Sequence, residues 1–350
     1  MRHLASIKRI RELHPIEGAD NIERAVIDGF DVVVRKGEFQ VGDLCVYCEC
    51  DSILPQDNPN FAFLEGKRIK IKRLRGIYSY GIAFPVEQLF TSKTLVNDRG
   101  QAYTLGEGDD VTELLKIEKW EPEVITNDNR KQTDNLVRVP FPAWIPKTDE
   151  TRFQSIIDIL KPFEGVDCIV TEKLDGTSTT HWLDDEGNYH LASRNREIVD
   201  KNEIFYRGAI EAGIPELMKN LPKGTVVQGE LIGQGIAGNK YNLDKFKIYM
   251  FNLRFNNKFY DGVQHSLKLL DECHFNTVPV VHEHYKLHVD KDHLLELSMG
   301  KSVLNPKQER EGIVIRPREN IYITDRQAAP YFVDGRLSFK VINPKFEMKV

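Results

Sequence analysis

A lysine two residues before an Asp-Gly pair, at the end of an apolar run, is placed for covalent chemistry. Here it is Lys173, in Glu172-Lys173-Leu174-Asp175-Gly176-Thr177, directly after Cys168-Ile169-Val170. An amine at a strand end beside a carboxylate can attack the α-phosphorus of a nucleotide once it has lost its proton. The resulting phosphoramidate has a P–N bond able to pass the nucleotide on. An exposed amine is protonated at neutral pH, so a divalent cation and the basic groups of a phosphate pocket are expected to lower its pKa. Taken alone, Lys-x-Asp-Gly also describes a surface lysine beside an ordinary turn, and what distinguishes this one lies downstream.

Ser193-Arg194-Asn195 closes a hairpin strand, and a guanidinium there suits a phosphate better than an ammonium would. Gly229-Glu230-Leu231-Ile232-Gly233 puts a carboxylate between glycines on an apolar strand, where it needs a partner. Ile248-Tyr249-Met250-Phe251-Asn252 offers Phe251 either as a core aromatic or as a stacking ring. Glu311 opens the apolar strand Gly312-Ile313-Val314-Ile315, a mouth suited to a divalent cation, and Ser338-Phe339-Lys340-Val341 ends the series.

In this order the segments resemble those of the covalent nucleotidyltransferases, the ligases and capping enzymes, and among them the ATP-dependent RNA ligases. The resemblance runs from about Pro142 to the C-terminus. The N-terminal third is similar to the module that precedes the transferase domain in the nick-sealing fifth family of RNA ligases. It implies an OB-like β-barrel followed by an α+β nucleotidyltransferase domain of antiparallel sheets and helices. It further implies Lys173 as the nucleophile that takes AMP from ATP, with Glu172 at the adenine edge and Asp175 orienting the lysine or holding metal-bound water. Arg194 and Asn195 fall on nucleotide and 5′-phosphate, Glu230 on a ribose hydroxyl or the metal, and Phe251 on the adenine face. Glu311 becomes the principal ligand of Mg²⁺ or Mn²⁺, assisted by Asp175 and Glu230, and Lys340 grips the α-phosphate.

Two positions depart from the family pattern. Related ligases carry Asp where this chain has Asn252, and a lysine where it has Ser338, leaving Arg336 or Lys345 as substitutes. Upstream, Lys147-Thr148-Asp149-Glu150-Thr151-Arg152 resembles the segment leading into the transferase domain, and equally reads as a charged helix start.

With 350 residues, 41% of them hydrophobic and 29% charged, the chain suffices for two packed domains. Its charge of −5 requires any nucleic-acid surface to be local. Five cysteines, three of them crowded at Cys45, Cys48 and Cys50, fit a reducing compartment. No apolar run would span a bilayer and the start lacks a signal core, so a cytoplasmic protein without a membrane partner is expected. A monomer is expected as well.

Residues 1–120 read as short strands at Leu4–Ile10, Ala25–Val34 and Leu44–Cys50, with turns at Asp28-Gly29 and Val41-Gly42-Asp43. The run from Lys67 to Arg75, taken as a strand, turns Arg68, Lys70 and Lys72 to one face and Ile69 and Ile71 to the core. Followed by Tyr78 and Tyr80, it predicts a cationic stripe for an RNA backbone, or else a charged edge strand. A polar linker is placed at 121–136, with the second domain at 137–350. In that domain a hairpin is expected around Asp184–Gly187, and helices near Glu203–Ala212, His265–His274 and Asp292–Met299.

Gly233-Gln234-Gly235-Ile236-Ala237-Gly238 matches a dinucleotide fingerprint, but the residues after it continue no helix. A mobile loop over the nucleotide pocket is the better reading. Cys45-x-x-Cys48 on a strand points to opposite sides, and His282, His284 and His288 read as a solvated face rather than a zinc site. The expected activity is the sealing of nicks in duplex RNA or RNA–DNA hybrid, with the N-terminal barrel along the A-form backbone. A DNA ligase or mRNA guanylyltransferase would share Lys173 and Asp175, and a binding protein with a degenerate transferase domain would take no covalent label.

Overall fold

A computed structural model of the chain describes residues 3–96, 100–120 and 139–349. The linker placed at 121–136 and the domain start at Val137 lie outside the described residues. The chain divides into two compact units, Met1–Glu121 with Phe153–Asp158 and Glu347–Val350, and Pro122–Arg152 with Ile159–Phe346. Phe153–Asp158, placed by sequence in the second domain, therefore packs with the first unit.

The first unit holds β1 (Ala5–Pro15), β2 (Ile22–Ile27), β3 (Phe30–Arg35), β4 (Leu44–Cys48), β5 (Lys72–Leu74), β6 (Ile77–Ser79) and β7 (Ile82–Pro85). An antiparallel sheet of order β3-β2-β1-β4-β7 closes over Ile7, Ile10, Ile27, Val32 and Tyr47. The run expected over Ala25–Val34 is two strands, because Asp28 takes a left-handed φ of 50°. Its short polar side chain tolerates that conformation.

The basic run is only in part a strand. Ile69 and Ile71 are buried as the alternation demands, yet the ladder begins at Lys72. Before it, the chain makes a single reciprocal pair of bonds, Ile69 N–H to Ser52 O and Asp51 N–H to Ile69 O. Tyr80 is buried against Phe30 instead of lying ready for bases, and its alternation partner Tyr78 is half-buried near the Arg73 guanidinium.

The second unit contains β8 (Thr151–Arg152), β9 (Asp167–Lys173), β10 (Thr177–Leu183) and β11 (Tyr189–Ser193). Then come α1 (Ile204–Glu211), α2 (Ile214–Met218), β12 (Thr225–Ile232), β13 (Lys247–Phe255) and β14 (Lys258–Phe259). Last are α3 (Val263–Glu272), β15 (Val280–Lys286), α4 (Lys291–Ser298), β16 (Gly312–Pro317) and β17 (Phe339–Ile342). Two five-stranded sheets result, β8-β17-β16-β9-β15 and β11-β10-β12-β13-β14, antiparallel but for the β8–β17 pair.

This is the α+β arrangement of antiparallel sheets expected from the sequence. The hairpin turns at Gly187, and the three helices fall within two residues of their expected bounds. Asp290 sets the start of α4 by accepting from the His293 N–H at 2.8 Å. After β12 comes a loop with a single short helical turn, Ala237–Asn239, and not the long helix of a dinucleotide fold.

Candidate active site

Lys173 ends β9 and Gly312 opens β16, and the two are cross-strand partners. Glu311, one residue before Gly312, thus emerges beside the lysine, and Lys173 Nζ donates to both carboxylate oxygens at 2.7 Å. A side chain at Gly312 is impossible, since its Cβ would lie 2.3 Å from Val341 O on the neighbouring β17. Glycine there lets three strands converge at the mouth.

Gly176, in the bend between β9 and β10, also serves the site by close approach. Its Cβ would meet Leu231 O at 2.4 Å and Ile232 Cγ2 at 2.6 Å. The absence of a side chain lets its N–H reach Glu230 Oε1 at 3.1 Å. Asp175 is held on both sides: its N–H donates to Tyr241 Oη at 2.7 Å, and its carboxylate accepts from Lys240 Nζ. Lys240, which also lies 4.3 Å from the centroid of the Phe346 ring, comes from the glycine-rich loop and escaped the sequence reading.

The electrostatics are those of a pocket with too few cations. Burial pulls the Lys173 amine down, but Glu311, Glu230 and Asp175 outweigh it and leave the lysine above its ordinary value. Among the protein's own groups carboxylates set this direction, and the lowering expected from sequence depends on a bound divalent cation. Burial raises Glu230 to about 8, with Glu311 and Asp175 adding to the effect and Lys173 opposing it. Glu311 is likewise raised by burial in spite of Lys173 and Lys340. Three carboxylates crowded until one resists ionisation form a donor set suited to a hard divalent cation. They are not a preformed cage: among the described residues, the one cluster of three potential ligands within 4.8 Å is the exposed Asp261, His265 and Glu319.

Glu172 points away from Lys173, as alternation along a strand requires. It is 1% exposed, its Oε2 accepts from Val303 N–H at 2.7 Å, and its Oε1 is a buried acceptor with no hydrogen-bond partner. Phe251 stands at an irregularity where β12 and β13 shift register, Gln228 facing Asn252 and Gly229 facing Met250. Such a bulge re-aims a side chain. Phe251 is half-buried, and its carbonyl accepts from Arg316 Nη1 at 2.7 Å.

Arg194 pairs with Asp149 at 2.6 Å and Asn195 accepts from Lys147 at 3.3 Å, so the upstream segment lies against these two residues. The structure assigns the two departures from pattern. Ser338 is buried and accepts from Arg316 Nε at 3.2 Å. Asn252 accepts from Arg336 Nη2 at 2.9 Å and donates to Gln228 at 3.1 Å. Arg336 therefore points inward, 3.4 Å from the Phe259 ring centroid, and does not replace the missing lysine. Lys345 is exposed on the short helix Pro344–Glu347. Lys340 lies opposite Val314 on β16, and in parallel register with Arg152, a buried arginine that sequence reasoning left without a role.

Of the N-terminal stripe, Arg68 is engaged by Asp51 at 3.3 Å and lies 3.6 Å from the Trp120 ring centroid, while Lys70 and Lys72 are exposed. His282, His284 and His288 are exposed, as expected of a solvated face, with His284 paired to Asp167 and His288 to Glu164. No helix of the described residues is long and apolar enough to cross a membrane.

Comparison with known proteins gives this geometry a lineage. An OB-fold domain model matches residues 4–86 and an RNA ligase model matches residues 166–342. The comparison with curated proteins found no match. Among solved structures, Naegleria gruberi RNA ligase is similar along the whole chain. A lysine-to-alanine mutant with ATP and Mn is 30% identical with TM-score 0.81, covering 99% of each chain. A glutamate-to-alanine mutant with AMP and Mn is also 30% identical with TM-score 0.81, covering 100% of this chain and 99% of that one. With Lys173, Glu230 and Glu311 assembled at one mouth and an OB-fold module in front, the chain belongs to the RNA ligase family.

Proposed function

We propose that the protein is an ATP-dependent RNA ligase that seals 3′-hydroxyl/5′-phosphate nicks in duplex RNA or RNA–DNA hybrid through a lysyl-AMP intermediate. The observation that carries this is the Lys173–Glu311 pair at 2.7 Å beside Glu230, an amine among carboxylates that a nucleotide–metal complex would rearrange. The Naegleria enzyme, described with ATP or AMP and Mn, supports the same nucleotide and metal for this chain.

Glu311 would hold Mg²⁺ or Mn²⁺, with Asp175 and Glu230 close behind. The ion supplies charge neutralisation on the phosphates. Lys173, freed of its proton, attacks the α-phosphorus; the P–N bond forms as the P–O bond to pyrophosphate breaks. Phe251 stacks on adenine, and the partnerless Glu172 Oε1 fits an exocyclic amine at its edge. Lys340 and Arg152, side by side on β17 and β8, take phosphate oxygens. Arg194 and Asn195 leave Asp149 and Lys147 for the 5′-phosphate of the broken strand, to which AMP then passes. The 3′-hydroxyl finally displaces AMP. Lys70 and Lys72 follow the RNA backbone, and the protein works as a cytoplasmic monomer.

The test is covalent labelling with α-labelled ATP or GTP on denaturing gels, followed by sealing of a panel of nicked RNA, hybrid and DNA duplexes. Wild type should take label from ATP and Lys173→Ala should take none while remaining folded. A label from GTP, or none at all, would favour a guanylyltransferase or a degenerate binding domain respectively. Preferential sealing of DNA nicks would favour a DNA ligase.

A further inference from the structure

The arm that precedes Lys147 covers one face of the β11-β10-β12 end of its sheet. Phe141 and Ile145 pack on Trp182, Ala192 and Val226, Pro140 bridges to Arg196, and Gln228 donates to Pro146 O at 3.0 Å. Trp144 turns outward, 49% exposed. Its ring meets Trp182 edge-on, 6.1 Å between centroids and 87° between planes, and Trp182 in turn stacks on His190 at 5.2 Å. His190 is fixed by Glu197 at 2.7 Å and Asp184 at 3.2 Å. The exposed indole is thus the outermost ring of a braced aromatic series. An apolar surface of that size, left open but held rigid, is what a stacking partner needs.

Its position names the partner. Trp144 is three residues from Lys147 and five from Asp149, the partners of Asn195 and Arg194. Five residues span at most roughly 18 Å. At about 3.4 Å per nucleotide along a strand, that is within about five nucleotides of a phosphate at Arg194. Every base has a π-face, and RNA bases outside a duplex are taken by stacking on aromatic side chains. We infer that Trp144 is a stacking platform for an unpaired nucleobase lying within about five nucleotides of the 5′-phosphate at the break. This rests on the RNA-sealing reading above, and extends it to breaks whose flank is frayed, mismatched or single-stranded.

The experiment compares a fully paired RNA nick with the same nick carrying one unpaired nucleotide on the 5′-phosphate strand, in wild type, Trp144→Ala and Trp144→Phe. Lys173 adenylylation in each variant controls for folding and for the nucleotide chemistry, so its absence in wild type would indict the RNA-ligase reading and not this one. Trp144→Ala should adenylylate normally and bind the unpaired substrate between about five- and 150-fold more weakly, the range measured for one stacked base. The paired nick should change little, and Trp144→Phe should retain most of the binding. An abasic residue at the unpaired position should weaken wild type by the same factor and leave Trp144→Ala unchanged. Equal losses on both substrates, or none, would overturn the inference. So would a shift of free Trp144→Ala to a smaller species on gel filtration, which would assign the indole to a contact between copies of the chain.

Discussion

His181 lies on β10, flanked by β11 and β12, and it is fully buried. Its ring nitrogens meet Tyr189 Oη at 2.6 Å and Thr179 Oγ1 at 3.0 Å, neutral partners that offer no counter-charge. Burial therefore depresses its pKa from 6.5 to about 3. A histidine that is neutral when folded and titrates near 6.5 when unfolded stabilises the fold fully above pH 6.5, and that stability is lost as pH falls towards 3. At pH 5 the unfolded ring binds a proton that the folded ring refuses, a loss of about 2 kcal/mol; across the whole window it approaches about 5 kcal/mol. His190 and His288 are shifted upward by carboxylate partners against burial or exposure, and act in the opposite sense, so the isolated term appears only as a difference. We expect urea unfolding of the second unit, followed by hydrogen exchange of peptides from β10 and β12, to lose about 2 kcal/mol more between pH 8 and pH 5 in wild type than in His181→Gln. The glutamine keeps a donor and an acceptor but cannot titrate. Identical pH dependence in the two proteins would refute the assignment of a neutral, desolvated ring.

Gly176→Ala forces a Cβ to within 2.4 Å of Leu231 O, a backbone atom that cannot give way. It should cost about 1–3 kcal/mol in thermal unfolding and, by moving Glu230, most of the adenylylation rate. Lys240→Met removes the cation from Asp175 while keeping the bulk of the side chain, and should slow adenylylation at least about tenfold, since a half-buried carboxylate is left beside Glu230 and Glu311. A rate equal to wild type would exclude Lys240 from the site. Replacing Lys70 and Lys72 with Ala should leave adenylylation intact and reduce the log–log salt slope of nick sealing by roughly two contacts. Arg68→Ala should add little to the slope, because Asp51 and Trp120 already engage that guanidinium.

What the sequence showed most clearly were positions set by strand ends. Lys173 and Glu311 could be named because each closes or opens an apolar run, and the register that joins them follows from antiparallel pairing. What the sequence did not show was set by loops and by breaks in periodicity. Lys240 reaches Asp175 across 65 positions, from a loop whose glycines suggested only motion. Phe251 owes its aim to a register shift, and no residue type announces one. Glu172, named for the adenine edge by its position in a motif, lies on the far side of the strand from Lys173, as alternation requires. In the basic run, alternation correctly buried Ile69 and Ile71 even though the ladder did not extend there, because burial follows side-chain direction and does not need a partner strand.

The two departures from the family pattern belong to one rearrangement. Ser338 and Asn252 both accept from buried guanidinium groups, Arg316 and Arg336. Asn252 accepts from Arg336 and donates to Gln228, whereas an aspartate there could accept from Arg336 but has no N–H to give to Gln228. A lysine at position 338 would bring its ammonium against Arg316, and serine instead accepts from it. The positive charge that related enzymes place on a pair of lysines is here turned inward, where Arg316 holds the Phe251 carbonyl and Glu150. Lys340 keeps its place on the mouth side of β17, with Arg152 beside it in register. Lys173 is paired with Glu311, and on the mechanism proposed above a bound cation would have to compete for that carboxylate before the amine is released. Coupling the nucleophile's release to metal and nucleotide together would keep the amine inert towards other electrophiles in the empty enzyme.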